Sequence, residues 1–455
     1  MSEEEQGEKA ESIKLDMNNL IRERWAPVRE LGRGNFGKVY HVINIEDGRE
    51  GAMKTEKVDG ESLLKIEVEI MNEMKGQLAA VQILDEGATP DFRFLIMTLC
   101  GLDLTRISQL LNNKFSDSTI LRLSIRILHA IKTLHETGYL HRDLKPCNLA
   151  LDYHKDSHVI YLLDFGMARK FARQGPDNQW WIRARRSQCP FRGTLRYCSL
   201  NMHKRIDLGR VDDLWSWIYM IIEMRCELPW ANTTHPDKVE IQKTELINAT
   251  VHKDPLIKTY WPIIEHLNGL TYPDRPDYSM IFNTIYNKVK EIGANMMDPM
   301  DFDAVRPQDS AEHAAVIKKY NVTCGSREKC RDLKKETDEL AEFFVPKPND
   351  LPGGTKYVIS KNRNFYYRHE EKLAKGGKLD PKLDLSEAPK ERNSLPSNKK
   401  SLTSLRGTNG FNVPTAQSVE KEKEKEKEKT KSSKTKNKIM ISSKAGASIA
   451  RKKNI

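Results

Sequence analysis

The chain has no apolar stretch long enough to cross a bilayer. Its longest such run, Leu214–Ile222, contains Ser216 and is bounded by Asp213 and Glu223. That is well short of the roughly 20 residues a spanning helix needs, and it reads as a buried core helix. No apolar segment precedes residue 20, where Met1–Glu11 is acidic, so no secretory leader is expected. Cysteine is sparse: seven scattered positions with no Cys-x-x-Cys pair. An odd count without metal-ligand spacing suggests a reducing compartment and an address in the cytoplasm or the nucleus. Residues 431–455 lack both acidic and aromatic residues while carrying eight basic ones. Without interleaved aromatics, base stacking and hence nucleic-acid binding are not expected.

Charge is present but unevenly placed. The 455 residues carry a formal net charge of +11. Residues 304–455 hold 35 Lys+Arg and 20 Asp+Glu, a net of +15, which leaves 40 against 44 in residues 1–303. The basic character therefore belongs to the C-terminal third. From Pro346 onward Pro, Gly, Ser and Lys dominate, and such a stretch buries too little apolar surface to offset the entropy of ordering. Glu420–Lys429 alternates Glu and Lys strictly. As a helix it sets like charges four apart against unlike charges three apart, and the two effects nearly cancel. The expected organisation is a flexible acidic lead (1–20), one large domain (21–305), a partly helical extension (306–345) and a disordered basic low-complexity tail (346–455). The tail is either solubilising sequence or a tether to an acidic partner such as a microtubule.

The chemistry is concentrated in His141-Arg142-Asp143-Leu144-Lys145-Pro146-Cys147-Asn148 and, sixteen residues beyond Asn148, Asp164-Phe165-Gly166. Phosphoryl transfer from ATP to a hydroxyl needs an acid to orient the hydroxyl and take its proton, a lysine to offset charge on the moving group, and an amide and a carboxylate to hold Mg²⁺. Asp143, Lys145, Asn148 and Asp164 supply these in order, and the two motifs together form the protein-kinase signature. Upstream, Leu31-Gly32-Arg33-Gly34-Asn35-Phe36-Gly37-Lys38-Val39-Tyr40 contains GxGxxG. The residues after the last glycine, Val39–Ile43, are mostly β-branched or aromatic and read as a strand, so the glycines shape a hairpin over phosphates and not the opening of a helix. Ala52-Met53-Lys54 then fits the strand whose lysine meets the α/β-phosphates. That lysine needs a helix carboxylate, and Glu67 and Glu69 are the candidates. Residues two apart do not share a helix face. Glu67 is taken as the partner and Glu69 as its solvated neighbour. Leu121, Ile125, Leu128, Ile131 and Leu134 recur at helical spacing, with Ser116 placed to cap and Gly138 to end a buried helix leading into the catalytic motif.

These motifs resemble the protein kinases, and the HRDLKPxN form resembles the serine/threonine kinases. In place of Ala-Pro-Glu the chain has Gly193-Thr194-Leu195-Arg196-Tyr197-Cys198-Ser199-Leu200-Asn201, similar to the casein kinase I group. Arg210-Val211-Asp212-Asp213-Leu214-Trp215-Ser216, Leu228-Pro229-Trp230 and the closing Met297–Asp303 resemble its tau-tubulin kinase branch. The resemblance covers roughly residues 20 to 305. It implies an α+β bilobal protein kinase fold, with a small β-rich lobe and a large α-rich lobe, that uses ATP and Mg²⁺ on Ser or Thr of protein substrates. It implies that Leu31, Gly32, Gly34, Asn35, Phe36, Gly37 and Val39 cover the nucleotide, that Lys54 and Glu67 pair, and that Met97 is the gatekeeper with Thr98–Cys100 as hinge. It makes Asp143 the base with Lys145 beside it, Asn148 and Asp164 the metal ligands, and Asp213 the brace of the catalytic loop. Arg196 matches a position that the group uses to read acidic or already phosphorylated substrates. Lys54, Asp143 and Asp164, the residues that inactive kinases usually lose, are all kept. A scaffold with a kinase-like domain on a basic tether is the rival reading.

Overall fold

The computed structural model describes residues 15–33, 37–58, 62, 64–154, 157–174, 180–186, 188–246, 253–305, 310–322, 332–347, 350 and 358–360. The chain divides into two units, residues 1–379 and 380–455, and every described residue belongs to the first.

The small lobe is a five-stranded antiparallel sheet in the order β1-β2-β3-β5-β4. Its strands are β1 (Trp25–Arg33), β2 (Lys38–Asn44), β3 (Glu50–Lys57), β4 (Ile83–Ala88) and β5 (Phe92–Thr98), with helix α1 (Leu64–Glu73) inserted after β3. Trp25, Tyr40, Val42, Met53, Phe94 and Ile96 bury together on one face. The β1–β2 hairpin is registered Gly32 to Val39 and Arg33 to Lys38. A Cβ on Gly37 would lie 1.7 Å from the Thr55 carbonyl oxygen, so only glycine permits this approach of the hairpin to β3.

β6 (Cys100–Asp103) crosses to the large lobe and joins β8 (Leu149–Asp152) and β9 (Ile160–Leu162) in a small antiparallel sheet. α2 (Leu104–Leu110) follows β6. α3 (Asp117–Glu136) then runs through the core and ends at β7 (Tyr139–Leu140). The Ser116 hydroxyl accepts from the Thr119 N–H at 3.2 Å, satisfying one of the orphan donors of the α3 N-terminus. Gly138 stops the helix with φ +84°, at a point where a Cβ would sit 2.2 Å from the Ala172 carbonyl oxygen. β7 pairs β10 (Arg169–Lys170), and β11 (Ala172–Gln174) pairs β12 (Trp180–Arg183). The rest of this lobe is helical: α4 (Leu200–His203), α5 (Arg210–Arg225), α6 (Pro236–Leu246), α7 (Pro255–Thr259), α8 (Trp261–Asn268) and α9 (Tyr278–Glu291). The run Leu214–Ile222 lies in α5. Its Trp217 is fully buried and donates to the Ser124 carbonyl of α3 at 3.2 Å.

The partly helical extension holds α10 (Ala311–Tyr320) and α11 (Leu333–Phe343). Both pack on the kinase-motif body. α10 lies against β1 and β2, and Leu340 and Phe344 enter the main core beside α3 and α9. α11 is a charged helix of this extension, and residues 323–331 lie outside the described residues. Of the region from Pro346, expected to be disordered, the described part includes β13 (Val358–Ser360), which pairs parallel to β12. The acidic lead up to residue 14, the Glu-Lys repeat and the basic block 431–455 lie outside the described residues.

Candidate active site

The catalytic loop hangs between two rigid helices. α3 delivers it through β7, and Asp213 on α5 holds it from below. The Asp213 carboxylate accepts from the backbone N–H of His141 (2.8 Å) and of Arg142 (2.8 Å) and bonds the His135 ring at 2.9 Å. Burial opposes charge on Asp213, but its bonds to His135 and the loop N–H groups outweigh it and hold the carboxyl below its ordinary value. Arg142 sits at φ +68°, a left-handed conformation unfavourable for a side-chain-bearing residue. The Asp213 bonds to its own N–H and to that of His141 keep it there. The His141 ring bonds the Leu163 carbonyl at 3.0 Å and lies 5.7 Å from the buried ring of Phe165. The two motifs are thereby joined in space.

Asp143 projects into the cleft with both oxygens engaged. Lys145 donates to Oδ2 at 2.6 Å and the Thr194 hydroxyl to Oδ1 at 2.7 Å. Burial disfavours the Lys145 charge, but the bond to Asp143 prevails and raises its pKa. Asn148 donates its amide N–H to the Asp143 carbonyl at 3.0 Å. This orients the amide so that its oxygen, which the Cys147 thiol approaches at 3.7 Å, is the group available to a cation. Asp164 stands at φ +62°, with one carboxylate oxygen accepting from the Gly166 N–H at 3.3 Å. The other oxygen accepts no bond among the described residues. No group of three or more His, Cys, Asp or Glu side chains suited to a metal occurs among the described residues. One carboxylate and one amide suit Mg²⁺ that arrives with phosphates, because this ion keeps few protein ligands and completes its shell with phosphate oxygens and water.

In the small lobe, Lys54 on β3 donates to Glu67 on α1 at 2.5 Å, both nearly buried. Burial pushes the Glu67 carboxyl above its ordinary value, against the pull of the Lys54 ammonium. Glu69 is exposed, as expected of the neighbour on the other face, but it is not merely solvated. It accepts from the Tyr139 hydroxyl and from Lys170 (3.3 Å), tying α1 to the large lobe. Leu31, Gly32, Gly37 and Val39 lie on the hairpin above the cleft, with Val39 registered against Lys54. Gly34, Asn35 and Phe36 lie outside the described residues. Met97, one residue before the end of β5, packs against the main core, and Thr98–Cys100 carry the chain between the lobes. A cavity of about 700 Å³ opens elsewhere, lined by Lys132, Glu136, Lys170, Trp180 and Phe343 and by none of the cleft residues. Chemistry, and not volume, identifies the site.

Arg196 is already occupied: its guanidinium pairs with Glu223 and donates to the Ala231 carbonyl at 3.3 Å. Arg142 is half-buried, with Arg169, Arg192 and Arg186 near enough to repel its charge. Burial first, then repulsion from these three, lowers its pKa to about 10. Asp207 offsets part of this charge by a bidentate contact to Arg186 (2.8 and 3.1 Å). The Ser199-Leu200-Asn201 segment is fastened by Asp212, which accepts from the Ser199 hydroxyl (2.6 Å) and the Asn201 amide (2.9 Å), and burial raises its pKa to about 6.

Four contacts are not legible in the sequence: Thr194 on Asp143, His135 on Asp213, Glu223 on Arg196, and Lys243. The last is buried and donates to the Leu195 carbonyl (2.8 Å) and the Cys198 carbonyl (2.5 Å), with burial lowering its pKa to about 8. Only Thr194 carries a signal, since it stands in the Gly-Thr that opens Gly193–Asn201.

A family model described as the protein kinase domain matches residues 25–296. The chain is 32% identical over 297 residues to a Dictyostelium discoideum protein named as a probable serine/threonine-protein kinase. That match covers 64% of this chain and 59% of that protein, so the chain spans about three-fifths of its length. It is 35% identical over 238 residues to an inactive tau-tubulin kinase of Caenorhabditis elegans, covering 50% of this chain and 82% of the relative. It is 30% identical over 292 residues to the serine/threonine-protein kinase spe-6 of the same organism, covering 61% and 75% respectively. With the two motifs joined at one cleft and a family model matching more than half of its length, this chain belongs to the protein kinase family.

Proposed function

We propose that this protein transfers the γ-phosphate of ATP to serine or threonine hydroxyls of protein substrates. The single observation that carries the reading is the convergence on Asp143 of Lys145 and Thr194, in a cleft where Lys54 and Glu67 are paired. Asp143 accepts the proton of the attacking hydroxyl. Lys145 sits where it offsets negative charge developing on the transferred group. Lys54, held by Glu67, fixes the nucleotide's phosphates under the hairpin that Gly32 and Gly37 shape. Asn148 and Asp164 are the residues that would hold Mg²⁺, which when bound neutralises phosphate charge. Such a site works by position and charge and forms no covalent intermediate.

The inactive relative gives the scaffold reading its one support. Against it stand Lys54, Asp143, Asn148 and Asp164, each present and each oriented toward the cleft's chemistry. The tau-tubulin branch is favoured by Ser199–Asn201 fastened to Asp212, the Asp-Asp-Leu-Trp-Ser run and Leu228-Pro229-Trp230. A preference for acidic or primed sites is favoured by the excess of arginine around Arg142. Arg196 takes part in it by exchanging Glu223 for a substrate anion. The tail from Pro346 acts as the tether to an acidic partner, in the cytoplasm or nucleus. The test is a peptide set with Ser, Thr or Tyr acceptors, each with and without a neighbouring phosphoserine, incubated with the full chain, ATP and Mg²⁺. Transfer to Ser and Thr, faster on primed peptides, is expected. Equal rates on primed and unprimed peptides would remove the anion preference, and transfer confined to Tyr would overturn the acceptor class.

A further inference from the structure

α10 lies beyond the matched kinase segment and docks on the small lobe. Val316, Ile317, Tyr320 and Val322 pack on Val28 of β1 and on Ile43 and Ile45 at the end of β2. The Tyr320 hydroxyl donates to the Asn18 carbonyl at 3.1 Å. At the other end of the helix, the buried His313 ring stacks on the buried His41 ring at 5.8 Å and 13°. Both rings meet one carboxylate. His41 Nε2 is 2.8 Å from one Glu50 oxygen and His313 Nε2 is 3.2 Å from the other.

This cluster lies behind the hinge. Glu50 precedes Gly51, which pairs with Thr98. The Tyr153 ring, 6.3 Å from His41, follows Asp152, which pairs with Cys100. His41 thus meets a large-lobe ring on one side and the His313 ring of α10 on the other. Both flanks of α10 are fastened to the large lobe. Upstream, Asp303 bonds His158 at 3.0 Å, and the five peptide steps from Val305 to Ser310 reach at most about 18 Å. Downstream, α11 is fixed to α3. Glu336 faces Arg126 at 3.8 Å, Lys132 donates to the Phe343 carbonyl at 3.1 Å, and Phe344 stacks on Phe282 at 4.6 Å. While α10 stays docked, its short upstream connection limits how far the small lobe can move from the large lobe.

We propose that α10 is an interlobe strap with His313 as its clasp, acting as a positioning residue that holds the nucleotide cleft at its working separation. The proposal deepens the kinase reading and rests on it for the meaning of that cleft. The strap is tested in the full chain with His313→Ala combined with Ile317→Asp, beside His313→Gln, which keeps a polar side chain next to Glu50. Two quantities are read: affinity for a non-hydrolysable ATP analogue with Mg²⁺, and hydrogen exchange of α10, of residues 98–103 and of α3.

In the double variant, α10 and residues 98–103 are expected to exchange faster while α3 stays protected. The analogue should bind about three- to tenfold more weakly, as when the binding-competent population falls by that factor. His313→Gln should recover most of the affinity. Free exchange of α10 with unchanged affinity and unchanged 98–103 overturns the strap, and so does an α10 that stays protected in the double variant. If no form of the protein binds the analogue, the kinase reading fails, and exchange at residues 98–103 still decides the strap.

Discussion

The catalytic loop and the C-terminal extension both adjoin α3, but they are held by different forces. Residues 139–148 are held by directional bonds: two backbone N–H groups on Asp213, a ring on the Leu163 carbonyl, an amide on the Asp143 carbonyl. Each demands one residue type at one position, so the loop reads as a motif. Residues 333–344 are held mainly by Leu340, Phe343 and Phe344 against α3 and α9. Many apolar residues satisfy such contacts, so the extension leaves no signature. The difference separates what this molecule needs for chemistry from what it needs to stay assembled, and substitutions in the two regions should fail in different ways.

The largest effect is expected at the loop. Asp143→Asn should lower transfer on the order of 10³-fold or more, by removing the proton acceptor, with thermal unfolding and nucleotide affinity near wild type. Lys54→Met should reduce turnover roughly 10²- to 10³-fold, the range for removing one positioned electrostatic donor. A rate within a few-fold of wild type would mean that the Lys54–Glu67 pair is structural only. In the extension the order reverses: Phe344→Ala should destabilise the domain by about 3 kcal/mol, as for other buried Phe truncations. Denaturant unfolding would measure this, and a loss near zero would show that the extension is not part of the cooperative unit.

A pH experiment sharpens the contrast. Burial, with repulsion from Arg126 and Lys132, lowers the pKa of His129 to about 3 where its ring meets Phe343. The unfolded chain binds a proton below about 6.5, and the folded chain refuses it until about 3. The contribution of His129 to stability is therefore present above pH 6.5 and is lost progressively as pH falls. His129→Phe should flatten the stability profile between pH 6.5 and 4, and an unchanged profile would place the acid sensitivity elsewhere. The smallest effect is expected at Arg196. Its pair with Glu223 is partly exposed, so Arg196→Ala should change stability by less than about 1 kcal/mol while narrowing any difference between primed and unprimed peptides.

The same contrast governs what could be read from the sequence. The acid, lysine, amide and second carboxylate were legible because phosphoryl transfer restricts residue type and spacing. Helix geometry allowed only one of Glu67 and Glu69 to face inward without saying which, while the limits of α3 followed from Ser116 and Gly138. The capture of Arg196 by Glu223, the hold of Lys243 on the Leu195 and Cys198 carbonyls, and the meeting of His41, Glu50 and His313 were not legible. Each joins positions brought together only by tertiary packing, and a lone Lys or His has no local pattern that announces its partner. α10 was hidden for a related reason: Ala311–Tyr320 shows only a short apolar face, whose meaning depends on the β1–β2 surface it covers.

The central claim is that Asp143 serves a working phosphoryl-transfer site. It is tested most directly by incubating the full chain with radiolabelled ATP, Mg²⁺ and casein, beside Asp143→Asn, and identifying the phosphorylated residues. Label is expected on serine or threonine with the wild type and almost none with the variant. Equal label with both proteins, or nucleotide binding by a folded wild type that transfers nothing, would contradict it.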